Sequence, residues 1–294
     1  MVDARQIAGK PRMVCVATPM YEHKVCYEYH RSYIQSLSLC SSRGFNIGHM
    51  AVGGDQFIAK ARNRLVRMFL QTSAATDLFF IDDDVGWPPE AFLKFIQRPE
   101  DVLCGIYCKK QETLDWPVEL LGDQATGELT ERDGLVKIQG GPTGFMRIRR
   151  HVIETLARNA AKFLDLAPDG SDQEYPEVFY TGTFEFGDKG RRFHGEDWLF
   201  CQDVQKAGFE VWADPNIEFT HRGQKVWRAT LADSLAIYRE KGRAAAKEIA
   251  EHGNIGETLP VQDGPPSLQD GEAAGDSGNG PSNGETVQGL PLQA

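Results

Sequence analysis

Short apolar runs alternate with amphipathic stretches along most of the chain. Arg12–Thr18 (RMVCVAT) is an apolar run closed by Pro19 and predicts a buried strand. Tyr27–Arg43 places Tyr33, Ile34 and Leu37 on one face of a helix that stops at Gly44. Phe45–Val52 predicts a second strand. Gln56–Gln71 predicts an amphipathic helix with Ile58, Ala61, Leu65, Met68 and Phe69 on its apolar stripe and Arg62 at the stripe's edge. Asp77–Ile81 (DLFFI) predicts a third strand, which runs straight into Asp82-Asp83-Asp84. Pro88-Pro89 opens a short helix through Ile96, because proline is tolerated in a first helical turn. Asp101–Tyr107 predicts a fourth strand.

Farther along, Lys109–Gln139 is polar and turn-rich and predicts hairpins on the rim. Gly141–Ile148 predicts a strand entry, His151–Ala161 a helix, and Glu196–Ala207 a helix closed by Gly208. Phe209–Ala213 and Ile217–Thr220 predict strands separated by an Asp214-Pro215 turn. Trp227–His252 predicts a long helix, with Leu231, Leu235 and Tyr238 packing on the domain. Phe163–Phe193 shows no period and reads as a long functional loop. Strands alternating with helices predict an α/β fold: a mostly parallel sheet flanked by helices on both faces. In such sheets ligands sit beyond the carboxyl ends of the strands. Thr18-Pro19, Asp82–Asp84 and Thr143-Gly144 all fall there.

Composition divides the chain. Residues 1–11 read as an N-terminal extension, 12–228 as the catalytic-size domain, and 229–252 as a C-terminal helix. Residues 253–294 are rich in Gly, Pro and Ser and read as a disordered acidic tail. The chain's formal charge is −10; six of those charges lie in the tail, which has no Lys or Arg, leaving −4 elsewhere. A strongly basic footprint is therefore missing, which argues against duplex nucleic acid as the partner. Cys15 and Cys104 lie inside apolar runs and read as buried free thiols. Cys104 and Cys108 are not followed by a second pair at zinc spacing. The opening MVDARQIAGKPR lacks an apolar leader, and no apolar run is long enough to span a bilayer, so a reducing cytoplasm is the expected compartment.

The chemistry concentrates in two places. In FFIDDDVGW an apolar strand ends in three like charges, which repel unless some are neutralised. A divalent cation does this directly, since magnesium and manganese take carboxylate and water oxygens. The alternative is a solvated acidic turn. The second place is HGEDWLFCQDVQKAGFEVWADPNIEFTH, where acidic residues open a helix and a strand–turn–strand ends in His221. Glu196 and Asp197 also suit the helix dipole alone. His194 reads as a loop residue, Trp87 and Trp198 as stacking or packing groups, and Arg147, Arg149 and Arg150 as a solvated basic face.

The order of these pieces from Arg12 to Gly223 resembles the GT-A (Rossmann-like) glycosyltransferases of the family 2 type. It runs from ATPMY through KARNRLV, the strand ending in Asp-x-Asp, PTGFMRIRR and GEDWLFC to the final His. The resemblance implies a nucleotide-sugar donor, of the UDP or GDP kind, and an acceptor glycan or other hydroxyl compound. It implies Mn2+ or Mg2+ held by Asp82, Asp84 and His221. Thr18, Pro19 and Tyr21 would line the nucleobase pocket. Arg62 would approach the ribose or diphosphate, with Asp82 and Asp83 beside the donor, and Thr143 and Gly144 would border sugar and acceptor. Asp197, with Glu196 second, would be the general base of an inverting transfer. One motif departs from the pattern: Gln224–Arg228 only echoes the Gln-x-x-Arg-Trp of many family 2 enzymes, which leaves retention of configuration open. Two other activities suit parts of the same pattern. A metal-dependent nucleotidylyltransferase would need a Gly-rich basic loop after the first strand, and ATPMYEHKV has no glycine. A non-catalytic binding module of the same fold would have no need of the full Asp82, Asp84, Asp197 and His221 set.

Overall fold

The computed structural model describes residues 6–7, 10–123, 125–167, 170–185 and 190–252. The tail expected over 253–294 lies outside them. Within the expected N-terminal extension, β1 (Gln6–Ile7) and β2 (Lys10–Pro11) form a short antiparallel ladder.

The main sheet grows from hydrophobic runs that face helices on both sides. β3 (Met13–Met20) leads through α1 (Tyr27–Ser42) to β4 (Asn46–Gly53), and α2 (Ile58–Gln71) leads to β5 (Asp77–Ile81). A short β6 (Val85–Gly86) and α3 (Pro89–Gln97) precede β7 (Val102–Gly105). Then come β8 (Glu119–Leu120), β9 (Glu131–Arg132), β10 (Leu135–Gly140), β11 (Phe145–Arg149) and α4 (Arg150–Asn159). Two hairpins follow: β12 (Lys162–Leu166) with β13 (Asp172–Pro176), and β14 (Gly182–Glu185) with β15 (Arg191–His194). The chain ends in α5 (Glu196–Lys206), β16 (Val211–Asp214), β17 (Phe219–Arg222), β18 (Val226–Ala229) and α6 (Ala232–His252).

The large sheet has the order β4-β3-β5-β11-β7-β16-β10-β8, with β9 added on β10. Its strands mostly point one way; β11 and β10 run against the rest. Strand alternation sorts side chains to opposite faces. Val14, Val16, Phe79, Ile81, Leu103 and Phe145 pack with residues of α1 and α3. Cys15, Ala17, Leu78, Phe80, Cys104 and Met146 pack with residues of α2, α4, α5 and α6. Phe79 stacks on Phe92 at 4.7 Å, and Phe145 meets Phe79, Phe95 and Phe219 edge-on. The expected α/β class and two-sided helix cover are therefore observed.

Four expectations need correction. Lys109–Gln139 does hold a hairpin, β9–β10, but β10 is not confined to the rim: Leu135, Val136 and Ile138 are buried, and it joins the main sheet beside β16. Phe163–Phe193 is not one long loop, because most of it folds into the two hairpins. Residues 227–229 are not the start of the last helix; with Val226 they form β18 and pair with β17, and the helix begins at Ala232, where the Ala- and Glu-rich run starts. Arg147, Arg149 and Arg150 are not a solvated face. Arg147 is fully buried and, with Arg149, lies beside Asp77. Arg150 donates to the carbonyls of Phe69 and Thr72 at the end of α2, adding a second donor to each. Among the described residues no helix is long and apolar enough to cross a membrane. All six cysteines are free, and five of them are buried.

Candidate active site

The carboxyl edge of the sheet gathers most of the predicted residues. β5 is wholly buried, and its end delivers Asp82–Asp84 to this edge. The turn is held by backbone bonds: Cys26 N to Asp83 O at 2.8 Å and Arg222 N to Asp84 O at 2.8 Å. The Asp82 amide donates to the carbonyl of Gly144, which enters β11 beside it. A Cβ at Gly144 would lie 2.2 Å from the Tyr107 hydroxyl and 2.4 Å from Asp82 Oδ2, so only glycine lets these groups meet.

Arg62 organises the centre. Asn63, next to it on α2, exchanges hydrogen bonds with the backbone of Phe179 at 2.7 and 2.8 Å, which fixes this turn of the helix. The Arg62 side chain is 2% exposed and pairs with three carboxylates: Asp82 at 3.0 Å, Asp197 at 2.7 Å, and Glu196. It is thus a buried hub of carboxylates, not an open clamp for a ribose or diphosphate. Glu196 and Asp197 reach it from the first turn of α5, after Gly195. Thr143 donates its hydroxyl hydrogen to Asp197 Oδ1. Of the three carboxylates, Asp197 is the most open, at 36% exposure against 25% for Asp82 and 13% for Glu196. Burial raises the Asp82 and Asp197 carboxyls above their ordinary value, and the Arg62 guanidinium works against that rise. Burial, then Asp84 and Asp82, push Asp83 up to about 6.

Asp84 faces the other way. Its Oδ1 lies 3.6 Å from His221 Nε2, and Lys110 pairs with its Oδ2. His221 Nδ1 lies 2.8 Å from the Cys108 carbonyl, which can only accept, so Nδ1 carries the hydrogen. Burial lowers the His221 pKa and favours the neutral ring. The unprotonated Nε2 then lies 3.6 Å from a carboxylate oxygen, a pair of acceptors that a cation between them would relieve. Metal-binding imidazoles typically donate their other nitrogen to such a backbone carbonyl. Asp84 and His221 therefore fit a divalent cation by donor type and proximity. Asp82 stands next to them but turns its carboxylate to Arg62, and its Oδ2 accepts from Tyr107 at 3.5 Å. Among the described residues no three His, Cys, Asp or Glu side chains are arranged to hold a metal ion between them.

A cleft of about 230 Å³ opens beside Asp82, Asp83 and Asp84, lined also by Pro19, Tyr21 and Asp55. Tyr21 is exposed, whereas Thr18 is buried and bonded to Tyr29 Oη at 2.6 Å. The side chain of Thr18 is thus spent in a network below the cleft. His194 stacks on Trp198 at 4.0 Å, next to Asp197 in sequence, and Trp87 is buried with its indole donating to Ser36. Sequence reading missed Asp55, Tyr107 and Lys110. Tyr107 and Lys110 had a usable signal, since TyrCysLysLys follows a buried strand at the same sheet edge as the aspartates.

No family model and no curated protein matches the chain. Among solved structures it is similar to A197 from STIV, with 17% identity over 75% of this chain and 91% of that one, at a TM-score of 0.44. It is similar to a glycosyltransferase involved in the glycosylation of the major capsid of PBCV-1, with 12% identity over 48% of this chain and 62% of that one, at 0.28. It is also similar to UDP-glucose pyrophosphorylase complexed with UDP-glucose, with 8% identity over 81% and 99%, at 0.34. Likeness at this level carries no chemistry across, so the site stands on its own residues.

Proposed function

We propose that the chain is a glycosyltransferase that moves a sugar from a nucleoside-diphosphate donor to an acceptor hydroxyl. The observation that carries this reading is the approach of Asp84 to His221 at 3.6 Å, beside Asp82, at the carboxyl edge of the sheet. The cleft next to them is lined by Pro19 and Tyr21, which suit a nucleobase, and the Arg62 carboxylate hub adjoins the same Asp82. Asp84 and His221, with Asp82 beside them, would hold Mn2+ or Mg2+. When bound, that ion supplies neutralisation of the diphosphate leaving group.

In the transfer, the acceptor oxygen bonds to the anomeric carbon as the bond from that carbon to the diphosphate oxygen breaks. The hydroxyl proton passes to a carboxylate. Asp197 is the residue for this role, with Glu196 second, because it is the most open carboxylate on Arg62 and burial raises its proton affinity. Thr143 and Arg62 fix its Oδ1, which orients the other oxygen. Tyr107 is held protonated by burial and the nearby carboxylates, and Gly144 leaves room for its hydroxyl at Asp82.

A thermal-shift screen of UDP and GDP with manganese tests the reading. Stabilisation that needs both nucleotide and Mn2+, and that vanishes in Asp84→Ala, is the expected result. Incubation with nucleotide-sugars then separates the chemistries. Release of sugar with free nucleoside diphosphate supports transfer, exchange of diphosphate into a nucleoside triphosphate supports nucleotidyl transfer, and binding without turnover rejects an enzyme. An unchanged shift in Asp84→Ala removes Asp84 from the site.

A further inference from the structure

The loop after β7 carries two groups that act on Asp84 and His221. Its Cys108 carbonyl takes the Nδ1 hydrogen of His221, and its Lys110 ammonium pairs with Asp84 Oδ2. Tyr107, at the loop's start, meets the His221 ring edge-on at 4.6 Å. The loop is fastened from outside. Lys109 bonds Asp115 through backbone and side chain at 2.9 and 2.6 Å, and Lys225 pairs with Glu112 at 2.6 Å. A Cβ at Gly223 would lie 3.2 Å from Lys110 Cδ, so the stem of Lys110 runs along the β17–β18 turn. Asp84 therefore has one oxygen near an unprotonated imidazole nitrogen and the other held by an ammonium.

That ammonium is positioned to be displaced. Lys110 and Asp84 are 33% and 30% exposed, and ion pairs open to water contribute little. A divalent cation brings twice the charge to the same carboxylate. The Lys110 ammonium, on a flexible four-carbon stem, would then swing from Asp84 without moving the backbone. A departing nucleoside diphosphate carries more negative charge than one divalent cation cancels, so the freed ammonium has a partner.

We propose that Lys110 is a tethered counter-cation: it neutralises Asp84 when no divalent ion is bound, and transfers to the donor diphosphate when the ion enters. The proposal rests on the reading of Asp84 and His221 as metal ligands. It makes Lys110 a competitor of the metal alone and an ally of the metal–nucleotide complex, two effects of opposite sign on one residue.

Free Mn2+ measured by electron paramagnetic resonance, with the full chain as wild type, Lys110→Met and Lys110→Arg, tests it without relying on turnover. Lys110→Met should bind Mn2+ roughly threefold to tenfold more tightly. The tightening of Mn2+ that UDP or GDP adds should shrink in the same variant. Lys110→Arg keeps the charge and should stay near wild type in both. Equal or weaker Mn2+ binding by Lys110→Met overturns the proposal and leaves the metal site standing. Absence of Mn2+ binding by wild type and variant alike overturns both.

Discussion

The two ends of strand β5 carry buried ionic clusters of inverse composition. At its start, one carboxylate meets three guanidiniums: Arg12 grips Asp77 at 2.7 and 3.2 Å, Arg149 lies at 3.5 Å and Arg147 at 3.8 Å. At its end, one guanidinium, that of Arg62, meets Asp82, Glu196 and Asp197. The first cluster is closed. Asp77 is wholly buried, and most of the surplus donors go to backbone carbonyls, Arg12 to Ile96 and Arg147 and Arg149 to Arg98, while Arg147 Nε has no hydrogen-bond partner. The second is open on the cleft side; Thr143 donates to Asp197 and Tyr107 to Asp82, but its surplus charge stays negative. A buried charge network walled in by backbone carbonyls is architecture. One that leaves negative charge over at a strand's carboxyl end, beside a cleft, is the better candidate for a functional site.

The largest expected effect breaks the closed end. Asp77→Ala leaves buried guanidiniums without their carboxylate and should cost about 3–5 kcal/mol in urea unfolding. Asp82→Ala at the open end should cost much less, because Arg62 keeps Glu196 and Asp197. Equal losses at both ends would erase the distinction. A middle-sized effect sharpens the open end. Gly144→Ala puts a methyl group 2.2 Å from the Tyr107 hydroxyl and 2.4 Å from Asp82. The ring of Tyr107 is buried and cannot step aside, so Asp82 must move. A loss of about 1–3 kcal/mol is expected from such overpacking. The Mn2+-dependent stabilisation by a nucleoside diphosphate should shrink with it. Full retention of both would show that the close approach is not needed.

The contrast also explains what was legible in the sequence. The open end could be read because its signal is local: FFI running into DDD, and GED opening a helix, each place their charges by one element. The closed end could not. Arg147 and Arg149 alternate with Ile148 on β11, the pattern of a half-exposed strand, and nothing nearby reveals Asp77 as their partner. The pairing Arg149↔Asp77 exists only once β11 docks against β5. β10 hid for a similar reason: Leu135–Gly140 sits among turn residues, and β16, which makes it a sheet strand, comes much later. The sequence puts Arg62 at the edge of an apolar stripe; its burial follows from Glu196 and Asp197 arriving from α5.

The smallest effect probes the open end by pH. Burial first, then Asp84 and Asp82, push the Asp83 carboxyl up to about 6, with Lys110 opposing. In the unfolded chain the same group titrates near 3.9. The folded state therefore binds this proton more tightly, so its contribution to stability is full below about pH 4 and is lost as pH rises through about 6. Asp83 is partly open to water, so the change is about 1–2 kcal/mol after screening. Asp83→Asn removes the group. Against wild type in urea unfolding, the variant should match it near pH 4 and exceed it at pH 7, with the difference growing between those limits. Parallel profiles for the two proteins would mean that Asp83 feels no surplus of negative charge, and the open cluster would then be balanced by groups other than Arg62 and Lys110.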